Sequence, residues 1–120
     1  MAGDSTEMAS KELMAASSRP LVLSILNEHE SYGYEIIRRV KELSDGELEW
    51  TEGMLYPVLH RLERDGLIKG RWVVGETGRK RKYYRVSAAG KKQLKAEREQ
   101  WETVDGVLRN LWEGLTKCSI

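Results

Sequence analysis

The chain has 120 residues, 40% of them hydrophobic and 32% charged, with a net charge of +1. That length holds one small domain with at most an appended helix, and it buries about two-thirds of its unfolded surface. The composition is that of a soluble globular protein. Cys118 stands alone, which excludes an internal disulfide, and no apolar run approaches the ~20 residues a membrane helix needs. The opening MAGDSTEMASKE carries acids and lacks an apolar signal core, so a reducing cytoplasm with no membrane partner is the expected setting.

The charge is unevenly spread. Residues 1–50 hold five Lys/Arg and ten Asp/Glu, residues 51–90 hold nine and four, and residues 91–120 hold six and five. The middle segment therefore concentrates the positive charge, as expected of a surface that meets phosphate. A solvated basic face is the plainer explanation until the context is added.

In chain order, residues 1–10 are small and polar and are expected to form a flexible arm. A helix is expected from Lys11 to Glu28, with Leu21, Leu23, Ile25 and Leu26 as its apolar contacts. Pro20 should kink or restart it after Ser17-Ser18, because proline removes a hydrogen bond and clashes one turn back. A second helix is expected from Gly33 to Leu43, with Ile36, Ile37, Val40 and Leu43 on one face. Ser44-Asp45-Gly46 stops it. Glu47 to Trp50 forms a link in which a short extended pairing is expected.

Thr51 reads as the N-cap of a third helix, with Glu52 in its first turn. Leu55, Val58, Leu59 and Leu62 form its buried stripe. At 100° per residue, Gly53, Tyr56, Pro57, His60 and Arg64 point away, with Arg61 flanking. Gly53 lies four residues before Pro57 and is expected to relieve the crowding that proline causes. Asp65-Gly66 ends the helix. Strands are expected over Leu67–Val74 and Arg81–Val86, joined by a glycine-containing basic turn. Trp72 and Trp50 are expected to pack the wing and the linker.

Ser87 reads as the cap of a long last helix from Ala88 to Leu115. Leu94, Trp101, Leu108 and Leu115 recur every seven residues, with Val104 and Leu111 between them, which is an a/d seam. Glu97 breaks one d position, and Gly106 and Gly114 weaken the helix by about 1 kcal/mol each. A seam on a terminal helix has little else to cover it, so Leu94, Trp101, Val104, Leu108, Leu111 and Leu115 are expected to join two copies of the chain.

The expected fold is mainly α (α+β): a winged helix-turn-helix over residues 11–87, a dimerisation helix over 88–116, and a tail at 117–120 that includes Cys118. In such a module the third helix enters the major groove and the hairpin touches the flanking backbone. The expected DNA contacts are Tyr34, Thr51, Glu52, Tyr56, His60, Arg61, Arg64, Arg79, Lys80, Arg81 and Lys82. Cationic groups supply affinity without sequence information. Only Thr51, Glu52, Tyr56 and His60 are placed to read base edges, so DNA shape should contribute to specificity.

Four strings carry a more specific likeness: YGYEIIRRV (Tyr32–Val40), GMLYPVLHRLERDGLI (Gly53–Ile68), GRKRKYYRVSAAG (Gly78–Gly90) and EQWETVD (Glu99–Asp105). Together the chain resembles a PadR-family transcriptional regulator of the short branch with a single C-terminal helix, over about residues 11 to 115. The resemblance implies a homodimer joined through its last helices, each packed against the partner's first helix. It implies a repressor on a dyad-symmetric operator that releases DNA when a small molecule binds. In the multidrug-sensing members a tryptophan from each last helix lines a flat apolar pore and stacks on planar aromatic compounds. That likeness implies Trp101 and Asp105 as effector-binding residues, with Leu13 and Ser24 facing the pore. Arg19 and Pro20 depart from those members, and Arg19 would bring a cation near the pore. For Trp101 itself, dimer core and ligand platform both remain open.

No nucleophile, base and acid set, phosphate loop or carboxylate pair stands out, so an enzyme is not expected. With two histidines, one cysteine and no Cys-x-x-Cys spacing, neither a metal nor any other cofactor is expected. The competing functions are a winged helix used only for protein contact, which would not need Arg79 to Lys82, and a dimer that sequesters small molecules without controlling a promoter.

Overall fold

The computed structural model describes the backbone of residues 2–118 and the side chains of residues 11–114. Four helices and three strands follow in the order α1 (Ala2–Glu28), β1 (Ser31–Tyr32), α2 (Gly33–Leu43), α3 (Glu52–Arg64), β2 (Ile68–Val74), β3 (Lys80–Val86) and α4 (Ala88–Cys118). The strands make one antiparallel sheet in the order β1-β3-β2. The fold is a winged helix with a long C-terminal helix, as the sequence leads one to expect.

The core is where α1, α2 and α3 meet one face of the sheet. Val22, Leu23, Ile25 and Leu26 of α1 are buried there with Ile36 and Val40 of α2 and Leu55, Leu59 and Leu62 of α3. Ile68 and Tyr84 close it from the sheet, and Trp50 packs into it from the linker as expected. The helical stripes were legible from spacing, but Val22 was missed, and Leu43, the last residue of α2, is exposed.

Several expectations are corrected. Helix α1 begins at Ala2 and takes in residues 2–10, which were expected as an arm. Extending an existing helix avoids the cost of a new nucleus, and Ala2, Glu7, Met8 and Ala9 favour it, although Gly3, Asp4, Ser5, Thr6 and Ser10 do not. Of the kink or restart expected, the restart does not occur, because the same helix contains Pro20. The hydroxyls of Ser17 and Ser18 donate to the carbonyls of Leu13 and Ala15 in the turn before it. The short extended pairing lies at Ser31–Tyr32, which adds to β3 opposite Tyr84 and Tyr83, and not at Glu47–Trp50. Helix α3 is likewise continuous across Pro57. A Cβ built on Gly53 would approach only Thr51 Oγ1, at 3.8 Å, so Gly53 is not there to make room for the proline ring. The last helix continues past Leu115 to Cys118, so residues 117 and 118 belong to it.

Two junctions fix the wing to the bundle. Gly66, with φ of +75°, lets the Gly66 and Leu67 N–H groups bond back to Glu63 and Leu62 at 3.0 and 2.9 Å, turning the chain from α3 into β2. Ser87 then caps α4, accepting from Gly90 N–H at 3.0 Å while its hydroxyl donates to the Gly66 carbonyl at 2.7 Å. The root of α4 is pressed so close that a Cβ on Gly90 would lie 2.0 Å from the Leu67 carbonyl oxygen.

Candidate nucleic-acid interface and effector groove

Helix α3 is set by its cap and its buried stripe. Thr51 Oγ1 accepts from Met54 N–H at 3.2 Å. With Leu55, Leu59 and Leu62 held in the core, the opposite face must turn Tyr56 and His60 to solvent, where their rings lie 6.4 Å apart. The Tyr56 hydroxyl reaches back to the start of α2. A Cβ on Gly33 would stand 3.2 Å from it, so the glycine gives this tyrosine its seat.

The wing follows from register. Opposite pairs share a face of an antiparallel ladder, so Gly70 and Tyr84, Trp72 and Lys82, and Val74 and Lys80 lie on one side. Arg71 with Tyr83 and Val73 with Arg81 lie on the other. On that second side the Arg81 guanidinium sits 4.6 Å from the centre of the Tyr32 ring. Arg71 makes a two-pronged pair with Glu30, tying the wing to the connection between α1 and β1. On the first side Lys82 Nζ donates to Glu63 Oε1 of α3 at 2.9 Å. That hydrogen bond raises the lysine above its ordinary pKa. Gly70 leaves room for it, since a Cβ there would lie 2.4 Å from Lys82 Cε and 2.9 Å from Glu63 Oε2. Lys82 therefore braces the wing against α3 while still lining the concavity between them.

At the wing tip, Gly75 N–H donates to the Arg79 carbonyl at 2.9 Å and Gly78 turns with φ of +79°. The turn is held by backbone, which leaves the Arg79 and Lys80 side chains exposed with no ion pair among the described residues.

Between α3, the start of α2 and the wing lies a concavity of about 580 Å³. It brings together Tyr34, Glu52, Tyr56, His60, Arg79, Lys80, Arg81 and Lys82 from the expected set. Thr51, Arg61 and Arg64 stand outside it: Thr51 is engaged as the cap, and Arg64 lies 3.6 Å from Asp65. Sequence reasoning missed Trp72, which also lines the concavity and is 67% exposed where it was expected to pack the wing. The pairing of β2 with β3 was the signal that could have placed it. The rings of Tyr34, Tyr56 and Trp72, the His60 imidazole and a cationic rim suit the phosphate wall and base edges of a duplex.

A second depression of about 760 Å³ runs between α1 and α4. Pro20, Leu21, Leu94 and Trp101 give it an apolar floor, and Ser24 lies on its edge. Leu13 is exposed outside it, and Asp105, also outside, pairs with Arg109 at 2.8 Å. Arg19 does not stand as a lone cation. Its Nε lies 3.2 Å from Glu97 Oε1, too oblique for a hydrogen bond but close enough for an ion pair across the two helices. The acid that interrupts the seam is thus the partner of the arginine that looked out of place. From Trp101 onward, Val104, Leu108 and Leu111 are exposed along α4, Leu111 to 59%. The Leu115 side chain lies outside the described residues, as does that of Cys118. No group of three or more potential metal ligands occurs among the described residues, and no helix among them is long and apolar enough to cross a membrane.

A helical core presenting α3 beside a basic, backbone-braced hairpin defines a winged-helix DNA-binding protein. Comparison with known families matches residues 22–96 to the transcriptional regulator PadR-like family. A relative from Mycobacterium tuberculosis, transcriptional regulator Rv3488, is 35% identical over 92 residues, covering 77% of this chain and 82% of that one. Among solved structures, a PadR family transcriptional regulator from Eggerthella lenta has a TM-score of 0.75 at 34% identity, covering 91% of this chain and 94% of that one. A transcriptional regulator from Clostridium thermocellum also has a TM-score of 0.75, at 33% identity, over 82% of this chain and 96% of its own. The chain belongs to the PadR-like family of transcriptional regulators, DNA-binding proteins and not enzymes.

Proposed function

We propose that the protein is a homodimeric repressor whose two winged heads occupy a dyad-symmetric operator and which a small planar aromatic compound releases. The observation that carries this reading is the exposed apolar seam of α4, continuous with the groove at Trp101 and rooted directly in the DNA-facing unit. A row of exposed Trp, Val and Leu at heptad spacing is covered by a second copy of itself, with α1 of each chain against α4 of the other. Leu13 and Asp105, which stand apart from the groove of one chain, reach the effector in that pair.

The route from effector to DNA is short. Trp101 lies eleven residues beyond Gly90, about 16 Å along the helix. Because α4 is packed against the Leu67 backbone at its root, a tilt at Trp101 turns the wing and α3 with it as one body. The effector acts by changing the spacing of the two heads. Pro20, Leu21, Leu94 and Trp101 offer a planar ring an apolar surface, and Lys91, Lys95 and Arg98 line the same groove.

The test is a fluorescence-anisotropy titration of the protein with a duplex from the promoter it controls, repeated with planar aromatic dyes. The dyes should release wild-type protein. Trp101→Ala should bind DNA equally well, remain dimeric and no longer respond. A Trp101→Ala chain that turns monomeric would assign the tryptophan to the dimer core alone. Dye binding with no affinity for any duplex would favour sequestration over promoter control.

A further inference from the structure

We propose that Trp72 is a DNA-contacting residue of the wing that adds affinity without displacing counterions; this rests on the DNA-facing reading of the concavity. Trp72 shares its sheet face with Tyr84, which is buried in the core. The next pairs outward along that face are Trp72 with Lys82 and Val74 with Lys80; Trp72, Lys80 and Lys82 line the concavity together with Tyr56 and His60. Trp72 is 67% exposed and Val74 61%. The indole is largely open to solvent, and no hydrogen bond engages its Nε1 among the described residues.

The occupant follows from charge. The two apolar residues are bordered by Lys80 and Lys82 across the ladder and by Arg79 at the turn, a cationic frame around an apolar patch. A polyanion whose backbone alternates phosphates with apolar sugars fits such a surface. Arg79 and Lys80 take phosphates, the indole lies on the deoxyribose beside them, and its N–H is left to donate to a phosphate or to a minor-groove acceptor. Contact of this kind is dispersion and desolvation rather than ion exchange, so it should be insensitive to salt.

The experiment compares wild type, Trp72→Ala, Trp72→Phe and Lys80→Ala on one operator duplex across a series of salt concentrations, with melting curves confirming that each folds. Trp72→Ala should weaken binding on the order of tenfold at every salt concentration, displacing log K against log[salt] in parallel. Trp72→Phe should recover most of the loss. Lys80→Ala should flatten the slope instead. Duplex binding should also change the tryptophan emission of wild type and leave that of Trp72→Phe nearly unmoved. Wild-type affinity in Trp72→Ala overturns the inference, as does a change of slope, which would mean that Trp72 acts only by placing Lys82. If wild type binds no duplex, the DNA reading fails and this inference with it. If only the Trp72 variants behave as wild type, the DNA reading stands and this inference alone is wrong.

Discussion

Replacing Arg79 and Lys80 together by alanine probes the electrostatic part of recognition. Both side chains are exposed at the wing tip and engage no carboxylate among the described residues. The turn that carries them is held by Gly75 N–H, the Arg79 carbonyl and the φ of Gly78, all of which alanine preserves. Each cation meeting a phosphate contributes a slope of about −0.9 in log K against log[salt]. Two cations per chain, on a duplex carrying two chains, make four contacts, or about 3.6 of the slope. Between about 50 and 200 mM salt, wild type should therefore lose on the order of 150-fold more affinity than the variant. Fluorescence anisotropy with a labelled duplex measures both lines. The loss should be similar on unrelated sequences, because phosphates carry no sequence. An unchanged slope would refute the wing assignment, and a loss confined to one sequence would show that these residues read bases. Lys82→Ala should alter the slope less, since the lysine is already engaged by Glu63 at 2.9 Å.

Three further outcomes follow from the same geometry. Gly90→Ala places a methyl 2.0 Å from the Leu67 carbonyl, so α4 must retreat; a cost of about 1–3 kcal/mol should lower Tm by roughly 4–15 °C, and an unchanged Tm would contradict the close packing at that root. Leu108→Glu introduces a charge into the exposed seam, and sedimentation should show a monomer that still folds; a dimer as tight as wild type would place the interface elsewhere. Glu30 is held below the ordinary carboxylate pKa by its hydrogen bonds from Arg71. The unfolded chain therefore takes up its proton first, and the stabilisation is present above the ordinary carboxylate pKa and is lost as pH falls through the lowered one. Melting curves across that range should fall less steeply for Glu30→Gln than for wild type, whereas parallel curves would remove the pair from the account.

What was legible in the sequence was what repeats along one element. The spacing of Ile36 and Val40, and of Leu55, Leu59 and Leu62, is a local consequence of helix geometry, and α2 and the Thr51 cap fall where that spacing puts them. What was not legible depends on contacts between distant segments. Ser31 and Tyr32 carry no strand pattern of their own; they become a strand because β3 offers them an open edge. Arg19 and Glu97 each looked anomalous alone, one a cation near an apolar site and the other a break in a seam, until α1 and α4 were placed side by side. Lys82 and Trp72 sit opposite each other, but one is braced by α3 and the other projects past it. Strand alternation alone does not tell where the core ends.

The central claim is that two heads of this kind, joined through α4, grip one duplex. The most direct measurement is the mass, by native mass spectrometry, of the complex formed with duplexes selected from a random-sequence pool. The account predicts selected sites with two-fold symmetry, each carrying two chains. Selection of asymmetric sites occupied by a single chain, or no enrichment over the starting pool, would contradict it.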